Sequence, residues 1–153
     1  MSRDWRSDDG SAVVEFVFLS IVLMIPIVYL VLCLGAVQSA AFAAEAVARD
    51  ASRAAVVGGV DALREGASYS RAEETGRERA SAVAQTTLED FHLVSDDVDM
   101  DLRCTGSPCL EPGSDVEVSV TVHVSLPGLG ALLPGAVVSV DSQGTSPVDG
   151  YLP

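Results

Sequence analysis

Residues 16–37 read FVFLSIVLMIPIVYLVLCLGAV, 22 residues without a charge, and this run decides the architecture. As a helix rising about 1.5 Å per residue it covers roughly 33 Å, enough to cross the hydrocarbon core of a bilayer. A cleaved secretory signal usually has an apolar region of about 7 to 15 residues, so the longer run reads as a retained membrane helix. The small residues SAAFA at 39–43 fit a signal peptidase, and a cleaved, secreted form is the alternative they support. Pro26 lacks the amide hydrogen that would bond the Val22 carbonyl, which predicts a kink or local loosening in mid-span. Cys33, inside the run, reads as an inert buried thiol.

Arg3 and Arg6 before the run balance Arg49 and Arg53 after it, so basic residues barely orient it. The short head and much longer tail favour a signal-anchor with the tail exported. Residues 38–57, QSAAFAAEAVARDASRAAVV, are Ala-rich and free of Pro and Gly, so the helix is expected to continue into water. Glu45, Arg49 and Arg53 are spaced four apart, and Ala43, Val47, Ala51, Ala54 and Ala55 make a narrow apolar stripe. Gly58 and Gly59 are the expected stop.

Ser70 with Glu73 fits a capping box opening a second helix, whose apolar positions Ala80, Val83, Ala84, Leu88 and Phe91 recur at three and four residues with Thr87 in the row. The period then drops to two. Val98, Met100 and Leu102 alternate with Asp97, Asp99, Asp101 and Arg103, and Val116, Val118, Val120, Val122 and Val124 alternate with Glu117, Ser119, Thr121, His123 and Ser125. Both strands are wet on one face and need a helix over the other. The segment LPGLGALLPG at 126–135 is apolar but rich in Gly and Pro, and a third strand is expected around 136–142. No period is visible from Gln143 to Pro153.

The 153 residues, 15.9 kDa, suit one exported domain. Twenty-two acidic against nine basic residues, all Arg, give a net charge of −13, which repels phosphate backbones and argues against nucleic acid as a partner. Cys104 and Cys109 bracket Thr-Gly-Ser-Pro, a turn that brings two β-carbons together, and a disulfide is expected there in an oxidising compartment. No metal is expected: the pair lacks partners for zinc, and Asp97, Asp99 and Asp101 fail as a calcium loop because Leu102 and Pro108 stand where Gly and Glu belong. His123 reads as an outward strand residue and His92 follows the helix end; neither has an obvious nucleophile or carboxylate arranged around it, so neither an enzyme nor a cofactor is expected.

Gly10-Ser11-Ala12-Val13-Val14-Glu15-Phe16 places a carboxylate at the rim of the apolar run. Such a group is costly unless it snorkels, pairs or works, and the plain alternative is an interfacial Glu favoured by a helix N-terminus. Gly10, the small residue after it, Glu15 five residues on and the apolar span resemble a type IV prepilin signal. With the Ala- and Arg-containing helix and the late Val-rich strand followed by Leu-Pro, the chain resembles the TadE-like family of pseudopilins, or minor pilins, of tight-adherence (Flp) pilus systems.

The resemblance implies a prepilin peptidase cutting after Gly10, a free amine on Ser11, and Glu15 meeting the amine of a neighbouring subunit during assembly. It implies a leader over 1–10, an assembly signal and transmembrane helix over 11–37, and an extracytoplasmic domain over 38–153. The fold class expected is α+β and pilin-like: a long helix, a second helix and a small antiparallel sheet. Membrane lipid, the pilus assembly platform and other pilins are the partners expected of a single-pass protein with a cytoplasmic N-terminus, at the cell membrane or in a pilus. The rival is a membrane-anchored or secreted adhesion or ligand-binding domain unrelated to pilus assembly.

Overall fold

The computed structural model describes residues 9–93, 95–126 and 137–149. Helix α1 covers Asp9–Arg64, helix α2 Tyr69–Asp90, and a short 3-10 turn Ser95–Asp97 leads into strands β1 (Val98–Cys104), β2 (Asp115–Ser125) and β3 (Val137–Pro147). The architecture is α+β. Two compact units divide the chain, Met1–Gly35 and Ala36–Pro153.

In the first unit, every residue from 12 to 34 other than Tyr29 and Cys33 is exposed. Phe16, Phe18, Leu23, Met24, Ile25 and Leu30 all present most of their surface outward, so this stretch of α1 has no polar face. It is, among the described residues, the one helix long and apolar enough to cross a membrane, with a mean hydropathy of 2.9 in its most apolar window. Ser20 donates its hydroxyl to the Phe16 carbonyl at 2.8 Å, which satisfies that group without water. Pro26 lies within the helix, and α1 runs on past it.

In the second unit α1 changes character. Ala40, Ala43, Ala44, Val47, Ala48, Ala51 and Ala55 are buried, while Glu45 and Arg49 pair on the outer side. The expected stop at Gly58 and Gly59 does not occur, for both glycines are buried and α1 continues to Arg64. They serve packing instead: a Cβ on Gly58 would lie 2.7 Å from the Arg79 Cγ, and one on Gly59 would meet the Leu110 side chain and the Ala72 carbonyl. The helix ends at Gly66, whose φ of +92° lets its amide bond the Leu63 carbonyl while the Ala67 amide bonds that of Ala62, both at 3.0 Å.

Helix α2 opens one residue pair earlier than the Ser70–Glu73 box predicts. Ser68 is the cap, extended at φ −69° and ψ 156°, and its hydroxyl accepts the Arg71 amide. Glu73 turns to Arg77 at 2.9 Å, so its carboxylate supports the helix surface instead of its start. Ala72, Gly76, Ala80, Ala84 and Leu88 form the buried row, one residue every turn. A Cβ on Gly76 would lie 2.7 Å from the Ala55 carbonyl, so the two helices touch backbone to backbone there. His92 ends the helix in the left-handed region, φ 58°, with the Leu93 amide returning to the Leu88 carbonyl.

The sheet is antiparallel in the order β1-β2-β3. Val116, Val118, Val120, Val122 and Val124 are all buried, as their alternation predicts, and they share the core with α1 and α2. Strand β3 extends five residues beyond the expected end, pairing Gln143 with Ser119, Gly144 with Val118 and Pro147 with Asp115. Its inward row there is Ser142, Gly144 and Ser146, because α1 lies against it: a Cβ on Gly144 would strike the Ala48 carbonyl. Small residues erase the apolar alternation where helix and strand approach closest. Val148 then buries and clips the end, its amide bonding the Ser114 carbonyl at 2.8 Å. Residues 127–136, most of the apolar Gly- and Pro-rich segment, lie outside the described residues.

Candidate functional site

The N-terminal residues singled out in the sequence fall on one helix. Gly10 and Ser11 lie in α1 (Asp9–Arg64), and Glu15 is one turn beyond Ser11 with an exposed side chain. Glu15 is at least six positions past the start of α1, outside the first turn, where the macrodipole acts most strongly. From Ala12 to Leu34 it is the one charged side chain. Dipole stabilisation by the intact helix N-terminus therefore contributes little to holding a carboxylate at this point. A partner or water must do so.

Cys104 and Cys109 form a disulfide with their Cα atoms 5.4 Å apart, and Cys33 is outside any disulfide. The bridge closes the turn between β1 and β2, next to Thr105, whose hydroxyl accepts the Asp115 amide at 2.8 Å. Leu110, in the same turn, adopts φ 68° and buries its side chain against Gly59. A small cleft behind it is lined by Ala55, Gly76, Leu102, Cys109, Leu110 and Val116, all apolar, and the Glu73–Arg77 pair at its rim neutralises itself.

His123 requires a correction. Sequence spacing places no nucleophile or carboxylate beside it, yet its Nε2 lies 3.0 Å from the Asp99 carboxylate and its Nδ1 3.0 Å from the Ser139 hydroxyl. The three residues come from three strands, and their meeting depends on register: His123 sits opposite Ser139, and diagonally from Asp99, which faces Thr121. A carboxylate, an imidazole and a hydroxyl in a row are the parts of a hydrolytic triad. Here they lie on the outer face of the sheet, where β2 is paired in ladders with β1 and β3. With Thr121 donating to Asp141 at 2.7 Å, the row ties β1, β2 and β3 together across the wet face. Asp97, Asp99 and Asp101 are exposed, and no group of three metal-ligating side chains occurs among the described residues.

No protein-family model, curated protein or solved structure matches the chain.

Proposed function

We propose that the protein is a structural subunit of a pilus-like membrane assembly, acting as a TadE-like minor pilin or pseudopilin of a tight-adherence (Flp) system. The observation that carries the proposal is Glu15, a lone exposed carboxylate on an otherwise apolar helix surface, one turn after Ser11. Hydrolysis of the Gly10–Ser11 peptide bond by a prepilin peptidase leaves an amine on Ser11, about 6 Å along the helix from Glu15. As subunits associate laterally, the Glu15 carboxylate meets a neighbour's amine. Two such charges are tolerable in an apolar filament core when paired, and each is very costly alone. Residues 38–153 face outward, where the Cys104–Cys109 disulfide persists, and the head faces the cytoplasm.

Intact mass of the membrane-extracted protein tests this first. A mature N-terminus at Ser11 is expected; one at Met1 or Ser2 makes the chain a plain anchor, and one near Ala44 makes it secreted. Gly10→Ala should block the cut. Glu15→Gln should leave cutting and membrane level intact but weaken co-purification with pilus components, at a cost of about 3 to 5 kcal/mol by analogy with a broken buried pair. Wild-type co-purification in Glu15→Gln at equal protein level refutes the pairing role.

A further inference from the structure

Within the unit Ala36–Pro153, two points set the direction of α1 along the sheet. Gly144 faces the backbone of Ala48, and Ala55 shares a cleft with Leu102, Leu110 and Val116. Gly144 pairs with Val118 and Ser146 with Val116, so the helix advances toward the Val116 end of β2 as it runs from Ala48 to Ala55. Followed backward from Ala48 to Ala40, about 12 Å, it runs toward Val122 and Val124 and their partners Val140 and Val138. Helix α2 is antiparallel to α1, since Ala55 meets Gly76 and Gly59 meets Ala72, so Leu88, Phe91 and Leu93 come to the same end.

At this end the described residues leave apolar surface exposed. Phe42 is 65% exposed and Val137 51% exposed, and Leu126, Phe91 and Leu93 are half-buried. Strand β2 leaves here at Leu126 and β3 enters at Val137. The opposite end carries Arg64, Glu65, Glu111 and Asp149, all exposed. Ala36 and Val37, the first residues of this unit, are also the last two of the uncharged run, so where that run leaves the bilayer, the end of the unit bearing Ala36 and Ala40 meets the headgroups. Phe42 stands five residues past Val37, about 7.5 Å along the helix and roughly the depth of one headgroup layer.

We propose that this end of the unit, marked by Phe42, Leu126 and Val137, rests on the membrane surface and buries its exposed apolar side chains in the headgroup layer, at the membrane–water boundary. The inference depends on the membrane-spanning reading of residues 16–37 and on nothing about pilus assembly. Aromatic and aliphatic side chains gain from that boundary by leaving water. Glu89, Asp90, Asp96 and Asp97 are exposed toward the same end, beside α2 and β1, so the surface suits lipid without net charge.

The test uses the full chain with Cys33→Ser, the disulfide kept, and one added cysteine at a time: Leu23→Cys, Phe42→Cys, Val137→Cys or Thr145→Cys. Each carries a nitroxide and is reconstituted in phosphatidylcholine vesicles, where its collisions with oxygen, concentrated in lipid, are compared with those of a water-soluble nickel chelate. Thr145 is exposed and lies eight residues along β3 from Val137, about 26 Å. The oxygen-to-nickel ratio is expected to be highest at Leu23, and at Phe42 and Val137 several-fold above that at Thr145. Val137 decides, because it reaches the boundary from the sheet and not along the spanning helix. A ratio at Val137 equal to that at Thr145, with Leu23 still in lipid, overturns the docking and leaves the span standing. Leu23 in water overturns the span and the docking with it.

Discussion

Residues 13–34 and 40–62 of α1 belong to one helix with two kinds of surface. The first stretch carries Phe, Leu, Ile and Met in every direction, each mostly exposed, and no described residue of its own unit covers them. The second carries Ala, Val and Gly on one side, buried so tightly that backbones of α1, α2 and β3 come into contact. Both are apolar by composition. Bulky side chains all round suit lipid, which receives them without shape complementarity, whereas small side chains on one face suit a partner element that must approach closely.

Adding one carbon to each region should separate them most. Gly144→Ala places a Cβ against the Ala48 carbonyl and the Arg49 amide, and backbone there cannot swing aside as a flexible side chain does. The expected cost is about 3 kcal/mol, at the upper end of overpacking. Gly35→Ala meets nothing within 4 Å, so it should cost nothing and gain at most about 1 kcal/mol in helix propensity. Hydrogen exchange of the β2 amides in detergent-solubilised full chain reads both changes. Equal effects would mean that the second stretch of α1 is no more tightly packed than the first.

Removing carbons gives the complementary comparison, with a smaller effect. Val120→Ala deletes two methyls from a side chain 1% exposed in the middle of the sheet, and about 2 kcal/mol of protection should be lost from β2. Leu23→Ala removes more carbon from a side chain 61% exposed, and the sheet should keep its protection within about 0.5 kcal/mol. A Leu23→Ala effect as large as that of Val120→Ala would show that the two regions fold as one unit.

The difference also explains what was legible in the sequence. Absence of charge over residues 16–37 and the strict alternation from Val116 to Val124 are signals written in side-chain bulk and polarity, and both reappear in the structure. Close packing leaves a weaker trace, since it selects residues for being small. Gly58 and Gly59 therefore resemble a helix stop when they are contact points, and Ser142, Gly144 and Ser146 resemble a tail when they are a strand under a helix. The true stop, Gly66, differs in its positive φ and its exposure, which composition does not reveal. Of the candidate site residues, Glu15 is placed relative to Ser11 by helical spacing alone. The contacts of His123 require the register of three strands, and no local pattern specifies that Asp99 and Ser139 fall on either side of it.

The start of α2 offers the smallest test of the packed region, and it separates a local signal from the observed geometry. Ser68 is extended and its hydroxyl accepts the Arg71 amide at 3.4 Å, while Ser70 already lies inside the helix with its hydroxyl 3.1 Å from that of Ser68. The Glu73 carboxylate, which a box starting at Ser70 would turn back to the Ser70 amide, is engaged with Arg77. Ser68→Ala should therefore cost about 1 kcal/mol, the usual loss of an N-cap oxygen. Ser70→Ala should be neutral or slightly favourable, because it puts the best helix former into a helical position. Exchange rates of the first-turn amides of α2 measure both, and the Arg71 amide should open faster in Ser68→Ala alone. Its effect should fade toward Ala80, where burial against α1 and not capping holds the helix. A larger loss in Ser70→Ala than in Ser68→Ala would restore the Ser70–Glu73 box and move the helix start two residues along the chain.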